Sequence, residues 1–206
     1  MILEKVTVGP MQVNCYILAA GKNDPAIIID PGAEFRKIKA ILDKYALKPA
    51  FVVNTHGHYD HIGCDDKFEV PVYIHRDDEV LLKNASLNLS AIFALGYEVK
   101  SEIRPLEEGH ILESENIRLK VLHIPGHTAG GIALKMLKPD ERIVFTGDNL
   151  FCQGIGRSDL AGGDEKLLIK SIREKLLSLP DDTMIYPGHG PSSTIGEEKA
   201  HNSFFR

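Results

Sequence analysis

The most constraining feature of the sequence is a run dense in metal-binding side chains directly after an apolar segment. His56, His58, Asp60 and His61 occupy four of six consecutive positions, and residues 50–54 before them fit a buried strand. A catalytic zinc ion takes about three protein ligands and keeps one position open for water. Four clustered ligands, with more elsewhere in the chain, exceed the needs of one such ion. The run therefore predicts two adjacent metal ions at the end of a strand.

Three further candidate ligands also lie just beyond apolar strands. His127, Asp148 and His189 each follow an apolar stretch and a glycine, and strand ends are where a rigid sheet presents binding loops. We assign the seven side chains to two ions and a bridge: His56, His58 and His127 at one ion, Asp60, His61 and His189 at the other, and Asp148 between them. The two carboxylates, Asp60 and Asp148, are also predicted to act in catalysis.

The ligand types suit several metals and one kind of chemistry. Imidazole and carboxylate groups bind zinc, iron or manganese, and we expect two divalent ions per chain, with zinc preferred. Paired ions about 3.5–4 Å apart lower the pKa of bound water to about 7, so hydroxide is available at neutral pH. The sequence thus predicts a hydrolase that attacks an acyl carbonyl without a Ser, Cys or His nucleophile.

Apolar strands and amphipathic helices alternate along the chain. Strands are predicted at residues 2–8, 15–20, 26–30, 50–54, 72–75, 117–123, 131–136, 142–146 and 183–186. Helices are predicted at 34–45, 77–83 and 164–177, and Asp164 suits an N-cap. Two sets of strands with helices between and after them indicate an α/β fold, a four-layered αββα sandwich with the helices outside.

Bulk composition narrows the class of partner. The 206 residues have room for one compact domain, which we assign to residues 1–206. A formal net charge of -5 gives no basic field for nucleic acid. No stretch reaches transmembrane length, and three scattered cysteines indicate a reducing compartment. We expect a cytoplasmic monomer or small homo-oligomer that acts on a small acyl or thioester substrate and binds neither nucleic acid nor membrane.

The ligand pattern resembles the metallo-β-lactamase superfamily, whose signature is His-x-His-x-Asp-His followed by a distant His, then Asp, then His. The match spans residues 56–189 and implies the αββα fold. Within the superfamily, residues 147–151, 154–159, 162–164 and 187–191 look like glyoxalase II-like (hydroxyacylglutathione hydrolase-like) enzymes, which implies thioester cleavage. Full-length glyoxalase II enzymes also have a helical domain, and a Lys and a Tyr soon after the bridging Asp. Here that region contains Arg157-Ser158-Asp159, so recognition of glutathione is left open.

Other functions remain as alternatives. The Gly-Arg-x-Asp segment at residues 156–159 is also similar to the iron-dependent persulfide dioxygenase branch of the superfamily. One iron per chain with oxygen uptake would distinguish that enzyme from a hydrolase with two ions. A metal-stabilised binding protein is less favoured because structural zinc sites rarely need a paired centre. A nuclease is disfavoured by the acidic charge balance.

Several residues near the predicted ligands are candidates to orient those ligands or to bind the substrate. Asp30, Thr55 and Thr128 are candidates to orient the ligating imidazoles, although Asp30-Pro31-Gly32 also fits a simple turn. Arg157 is predicted to pair with an acid such as Asp159 in preference to clamping an anionic substrate.

Four histidines and one apolar segment complete the predictions. His75, His110 and His201 lack the strand-end context and are expected to be solvated, while a supporting role for His123 is left open. Cys152 is expected to pack. Residues 84–97 are predicted to be a packed connector in preference to a flap over a site, because apolar segments are usually core.

Overall fold

Strands provide most of the regular structure in the computed structural model, which describes residues 1–93 and 95–206. The first part contains β1 (Ile2–Val8), β2 (Val13–Ala19), β3 (Pro25–Ile29), α1 (Phe35–Lys44) and β4 (Lys48–Val53). The middle contains α2 (Tyr59–Ile62), β5 (Val72–His75), α3 (Glu79–Leu82), β6 (Ile103–Leu106), β7 (Ile111–Ser114) and β8 (Ile117–His123). The last part contains β9 (Ile132–Lys138), β10 (Ile143–Gly147), β11 (Leu150–Phe151), β12 (Gly154–Ile155), α4 (Glu165–Ser171), β13 (Met184–Pro187), β14 (Ser193–Thr194) and α5 (Ile195–His201).

Twelve of these strands form two six-stranded sheets. The order in the first sheet is β1-β2-β3-β4-β5-β6, and in the second it is β14-β13-β10-β9-β8-β7. β1, β2 and β3 pair antiparallel in sequence order, which confirms the meander predicted for this part of the chain. β3 to β6 then run parallel. Their carboxyl ends consequently lie at one edge of the sheet.

The two sheets pack face to face around a shared apolar core. Tyr16 and Leu18 of β2 face inward and lie in one buried cluster with Phe145 of β10. Ile17, between them in the sequence, faces the opposite way and packs with Ile38 of α1. This alternation follows from the two-residue period of a strand that is buried on both faces.

The outer face of the second sheet is covered by the other long helix. Val144 of β10 packs with Leu168 of α4 and with Ile172, which lies in the π-helical turn Ile172–Leu176 that continues α4. Helix, sheet, sheet and helix therefore form four layers. The predicted αββα sandwich is confirmed.

Several short elements escaped the sequence prediction. β6, β7, the β11–β12 hairpin, β14 and α5 are between two and seven residues long. Such segments are too short for periodicity to distinguish them from loops. The Asp164 cap was predicted correctly, since its side chain accepts a hydrogen bond from the Leu167 amide at 2.9 Å.

Residues 84–97 differ from the packed connector that we predicted. Asn88 and Ser90 are buried, but Ile92 is 73% exposed, and Phe93 and Leu95 are 52% and 55% exposed. Ala94 lies outside the described residues. The prediction was wrong for the second half of the segment because Phe93 and Leu95 line a surface cavity instead of entering the core.

Among the described residues, no helix has the length and apolar character needed to cross a bilayer.

Candidate metal centre

Four strand ends deliver the predicted ligands to one edge of the sandwich. His56 follows β4 of the first sheet, while His127, Asp148 and His189 follow β8, β10 and β13 of the second sheet. Helix α2, which follows β4 and consists of a single turn, carries Asp60 and His61. The structure thus brings all seven predicted side chains together between the ends of the two sheets.

Three imidazoles form the first cluster. One ring nitrogen from each of His56, His58 and His127 lies within 4.8 Å of the other two, and His58 Nδ1 is 3.1 Å from His127 Nε2. Four ligands at about 2.0–2.1 Å around a tetrahedral zinc lie about 3.3 Å from one another. The spacing of this cluster therefore suits a single transition-metal ion.

One carboxylate and two imidazoles form the second cluster. Asp60 Oδ2 is 3.3 Å from His189 Nε2 and 3.7 Å from His61 Nε2. These three ligand atoms also lie within 4.8 Å of one another.

Asp148 lies between the two clusters. Its Oδ1 is 3.4 Å from His61 Nε2, and its Oδ2 is 3.4 Å from His189 Nε2 and 3.9 Å from His127 Nε2. One carboxylate thus faces imidazoles of both groups. This placement is the one expected of a bridging ligand, and the ligand assignments themselves stay predictions.

Unsatisfied polar atoms test whether the cluster fits metal ions. His56 Nε2, His61 Nε2 and Asp148 Oδ1 are buried and have no hydrogen-bond partner among the described residues. Buried polar atoms are rarely left without a partner, because each costs about 1–3 kcal/mol. Three such atoms aimed into one cluster fit the donor set of a metal pair.

Backbone carbonyls orient two of the rings. His127 Nδ1 donates to the Arg157 carbonyl oxygen at 2.7 Å, and His189 Nδ1 donates to the Met11 carbonyl oxygen at 2.9 Å. Each bond holds the ring with its Nδ1–H on a carbonyl and its Nε2 toward the cluster, which is the orientation usual for ligating histidines.

Asp30 supports the ligand run, which is the first of the two roles considered for it; the other was a simple turn. Its carboxylate accepts hydrogen bonds from the Thr55 amide and the Thr55 hydroxyl, both at 2.7 Å. The same carboxylate lies 3.1 Å from His61 Nδ1, and Thr55 Oγ1 lies 3.3 Å from His56 Nδ1. Asp30 therefore contacts the ligand run directly instead of only forming a turn.

Asp78 was missed by the sequence analysis and joins two ligand loops. Its Oδ2 accepts from the Gly57 amide at 3.1 Å and from the Thr128 hydroxyl at 2.7 Å, and its Oδ1 accepts from the Gly130 amide at 2.6 Å. Gly57 lies between two predicted ligands, and Thr128 follows His127. Thr128 therefore acts through Asp78, not on an imidazole. The only sequence signal was an acidic residue in a short turn.

Asn14 and Tyr16 were also missed, and they hold the loop that carries His189. Asn14 Nδ2 donates to the Pro187 and Gly190 carbonyl oxygens at 3.0 and 2.9 Å. The Tyr16 hydroxyl donates to the Pro187 carbonyl oxygen at 2.7 Å. Strand β2 thus fixes the position of a predicted ligand more than 170 residues away.

Two glycines permit the chain to approach the cluster closely. A Cβ on Gly32 would lie 1.4 Å from the Asp60 carbonyl oxygen, and one on Gly188 would lie 2.2 Å from Asp148 Oδ1. Any side chain at these positions would displace a predicted ligand.

The two clusters differ in charge. Burial and the neighbouring imidazoles hold the pKa of His56 well below its usual range, and burial together with His127 lowers the pKa of His58 to about 4. Burial opposes charge on His61 as well, but the carboxylates of Asp148 and Asp60 outweigh it and raise the pKa of His61. The imidazoles of His56 and His58 are therefore neutral at pH 7, while carboxylates and cationic imidazoles alternate in the second cluster.

The second cluster and the adjoining Asp148 contribute two carboxylates that lie beside imidazoles. Burial raises their pKa values, but His61 and His189 outweigh it, so the pKa of Asp148 lies well below its usual range and that of Asp60 is also lowered. Hydrogen bonds with these carboxylates overcome burial and raise the pKa of His189 to about 9. Both carboxylates are consequently ionised, and the cationic rings of His61 and His189 balance their charge.

An apolar cavity of about 190 Å³ opens beside Asp60. It is bounded by the β1–β2 turn, by the loop after β3, by Tyr59 and by the segment after α3, and its lining residues are Val8, Gly9, Pro10, Met11, Gly32, Ala33, Tyr59, Asp60, Phe93 and Leu95. Asp60 is the one predicted ligand in this lining. The cavity can therefore hold a small apolar group next to the metal centre.

The remaining predicted residues have mixed outcomes. Arg157 pairs with Asp159 through two hydrogen bonds of 2.7 and 2.8 Å, as predicted. His110 and His201 are exposed as expected. His75 is only 3% exposed, so its prediction was wrong; it lies at the end of buried strand β5. Cys152 is half-buried.

Sequence similarity to known proteins covers nearly the whole chain. The sequence pattern of the metallo-β-lactamase superfamily matches residues 8–189. The chain is 38% identical to the probable metallo-hydrolase YqgX of Bacillus subtilis, over 97% of this chain and 95% of that protein. It is 35% identical to the hydroxyacylglutathione hydrolase GloC of Haemophilus influenzae, over 99% and 98% of the two chains.

Solved structures share the fold over nearly the full length. The BLEG-1 B3 metallo-β-lactamase superposes with a TM-score of 0.90 at 35% identity, covering 99% of each chain. TTHA1623 in a di-iron-bound form superposes with a TM-score of 0.81 at 38% identity, covering 98% of this chain and 99% of that one. ETHE1 from Myxococcus xanthus superposes with a TM-score of 0.77 at 25% identity, covering 98% of this chain and 84% of that one. Because the superfamily pattern covers residues 8–189 and relatives of 35–38% identity match nearly the full length, the chain belongs to the metallo-β-lactamase superfamily.

Proposed function

We propose that this protein is a metal-dependent hydrolase of small thioesters or related acyl compounds, with hydroxyacylglutathione hydrolase-like activity. One observation carries the proposal: two ligand clusters share Asp148 and open, through Asp60, onto an apolar cavity of about 190 Å³. The similarity to GloC supports the thioester as substrate.

The proposed ligands divide the work of holding two divalent ions. His56, His58 and His127 would hold the first ion, Asp60, His61 and His189 the second, and Asp148 both. When bound, such a pair supplies an activated water and polarises the carbonyl that this water attacks. Zinc is the expected metal, with iron or manganese as alternatives.

The protein itself contributes fixed positions and a dry surface. Carbonyl oxygens hold the His127 and His189 rings, and Asp30 and Asp78 hold the loops, so the ligands need little rearrangement during the reaction. The apolar cavity lets the acyl group lie beside Asp60 with water excluded from one side. The described residues along the cavity include no serine, threonine or cysteine, which suits water as the nucleophile.

The charge distribution favours an uncharged group in the cavity. Asp60 is the one charged side chain among its described lining residues, and the Arg157 guanidinium is occupied by Asp159. Neither feature offers a carboxylate of the substrate a cationic partner at the cavity. We therefore assign the acyl portion to the cavity and leave the thiol portion to the open surface.

An iron-dependent persulfide dioxygenase is the second candidate. The feature that favours it is the Gly-Arg-x-Asp segment at residues 156–159, which is similar to that branch of the superfamily. The di-iron-bound form of TTHA1623 supports only the binding of iron by a similar fold. The imidazole and carboxylate donors of this chain would also accept iron.

Metal quantification combined with a substrate panel tests the proposal. The purified protein is loaded with zinc or iron and assayed with glutathione thioesters, other thioesters, lactones, a β-lactam and glutathione persulfide. We expect about two ions per chain and hydrolysis of a thioester. One iron with oxygen uptake on the persulfide would instead establish the dioxygenase.

Two ligand variants link the activity to the centre. His58→Ala and Asp148→Ala should each lower bound metal and reduce turnover by at least about 100-fold, because each removes a donor from the cluster. His110→Gln, an exposed histidine outside the cluster, serves as the matched control. Full activity in both ligand variants would refute the proposed function.

A further inference from the structure

A second group of metal-binding side chains lies outside the centre already described. One nitrogen each from His75 and His123 and one carboxylate oxygen of Asp77 lie within 4.8 Å of one another. His75 ends β5 of the first sheet and His123 ends β8 of the second. No hydrogen bond or ion pair of the described residues joins these three side chains to the seven proposed ligands.

The two imidazoles are arranged face to face. Their ring centroids are 3.9 Å apart and their planes differ by 15°. His75 is buried, and the Asp77 carboxylate, which is 49% exposed, lies with its Oδ2 3.6 Å from His75 Nδ1. A mobile carboxylate next to two fixed rings can complete a site with little rearrangement.

Hydrogen bonds determine which nitrogens carry lone pairs. His123 Nε2 donates to the Ala129 carbonyl oxygen at 2.9 Å, so Nδ1 is the ring nitrogen left to bind a metal ion. His75 Nδ1 accepts a long hydrogen bond of 3.3 Å from the Asp77 amide, so its lone pair points toward Asp77, and an ion bound there takes the place of that bond. His123, which donates one N–H to a carbonyl and presents the other nitrogen, has the usual arrangement of a ligating histidine.

The surroundings suit a cation. Burial, together with His123, lowers the pKa of His75 to about 4, so its imidazole is neutral at pH 7. The Glu108 carboxylate accepts a hydrogen bond from the His123 amide at 2.7 Å. The Lys175 ammonium, 2.6 Å from this carboxylate, partly neutralises its charge. Two imidazoles and one carboxylate are a donor set for zinc and similar divalent metals.

We propose that His75, Asp77 and His123 form an auxiliary site for a divalent transition-metal ion such as zinc, separate from the proposed centre at His56–His189. The bound ion joins the end of a strand from each sheet. It also restrains the segment that runs from His123 to His127, and the turn that carries Asp77 and Asp78. Because it binds the folded protein, it raises the stability of the fold by mass action.

Equilibrium dialysis against zinc tests the auxiliary site in the full chain. Protein already saturated at the main centre is titrated with zinc alone, and bound metal is counted. We expect a third equivalent in the wild type. Asp77→Asn and His123→Gln should weaken this third equivalent at least about 10-fold while keeping the first two. Asp77 is exposed, so its variant tests the site without disturbing the buried core.

His201→Gln is the control for adventitious surface binding. His201 lies 3.6 Å from Glu197 on α5, which is another pair able to hold zinc loosely. This variant should keep the third equivalent. The proposal is overturned if the wild type binds only two, if the third equivalent survives in both Asp77→Asn and His123→Gln, or if His201→Gln removes it.

Discussion

At the scale of single residues, the pKa of a buried carboxylate depends on whether neighbouring groups outweigh the effect of burial. Asp60 and Asp148 lie among imidazoles, which overcome burial and lower their pKa values. Asp65 is more completely buried, and among the described residues its carboxylate has only the Asn54 amide, at 3.3 Å, as a hydrogen-bond donor. Burial therefore raises the pKa of Asp65 well above its usual range.

Asp65→Asn should stabilise the protein at neutral pH. A carboxyl whose pKa is raised in the folded state contributes stability below its unfolded pKa of about 3.9, and that contribution is lost as pH rises through the folded pKa. Asparagine has no charge to bury, and its amide group can donate to Asn54 Oδ1, which has no partner among the described residues. We expect a gain of about 1 kcal/mol at pH 7–8 that shrinks toward pH 4.

Urea unfolding of the metal-free protein across this pH range measures the difference. Asp66→Asn is the matched control of opposite sign. Burial of Asp66 is outweighed by hydrogen bonds from the Ser101 and Lys100 amides, so its pKa is lowered. The Asp66→Asn variant should therefore be less stable than the wild type above pH 4. An Asp65→Asn protein less stable than wild type at every pH would contradict this account.

At the scale of elements, loops from the two sheets are tied together by a turn that precedes α3. The 3-10 turn Arg76–Asp78 follows β5, and Asp78 accepts hydrogen bonds from residues 21, 50 and 52 positions away in the chain. It thereby holds the loop of His56 and His58 against the loop of His127. Its role is to position ligands, because it does not itself face the centre.

Asp78→Asn should weaken metal binding at the three-imidazole cluster. Asparagine has one carbonyl oxygen in place of two, so at least one of the Gly57 and Gly130 amides loses its acceptor. We expect a loss of about 10–100-fold in zinc affinity at that cluster, as is typical of residues that support ligands. The second cluster should change less.

Competition with a chelator measures the two affinities separately, without reference to activity. Glu79→Gln removes an exposed carboxylate one position further along and should have no effect. Equal affinities in Asp78→Asn and wild type would show that the turn does not position the ligands.

At the scale of the whole molecule, the metal centre joins the two halves of the sandwich. His56, His58, Asp60 and His61 come from the first sheet's loop, and the other three proposed ligands come from loops of the second sheet. Metal bound there should therefore oppose separation of the sheets.

Removal of metal should lower the thermal stability of the protein. Free metal at 100 times its Kd stabilises the folded state by about 2.7 kcal/mol, which corresponds to about 5–11 °C in Tm for a chain of this size. Scanning calorimetry before and after chelation, and after zinc is restored, measures the shift. Asp148→Ala should show a much smaller response. An unchanged Tm after complete metal removal would contradict the prediction.

The sequence by itself determined the layered fold and the seven candidate ligands. Strand and helix periods are local, and so is the crowding of His56, His58, Asp60 and His61, so both could be seen in short stretches. The later ligands could be found because each follows an apolar strand.

Only the tertiary structure decided how these residues are supported. Asn14 and Tyr16 hold the loop of His189 from more than 170 residues away, and Asp78 joins loops that no local pattern connects. The cavity combines the β1–β2 turn with Phe93 and Leu95, and His75 meets His123 across the two sheets. Contacts at such separation depend on how the sheets pack, because the side chains that meet share no periodicity along the chain.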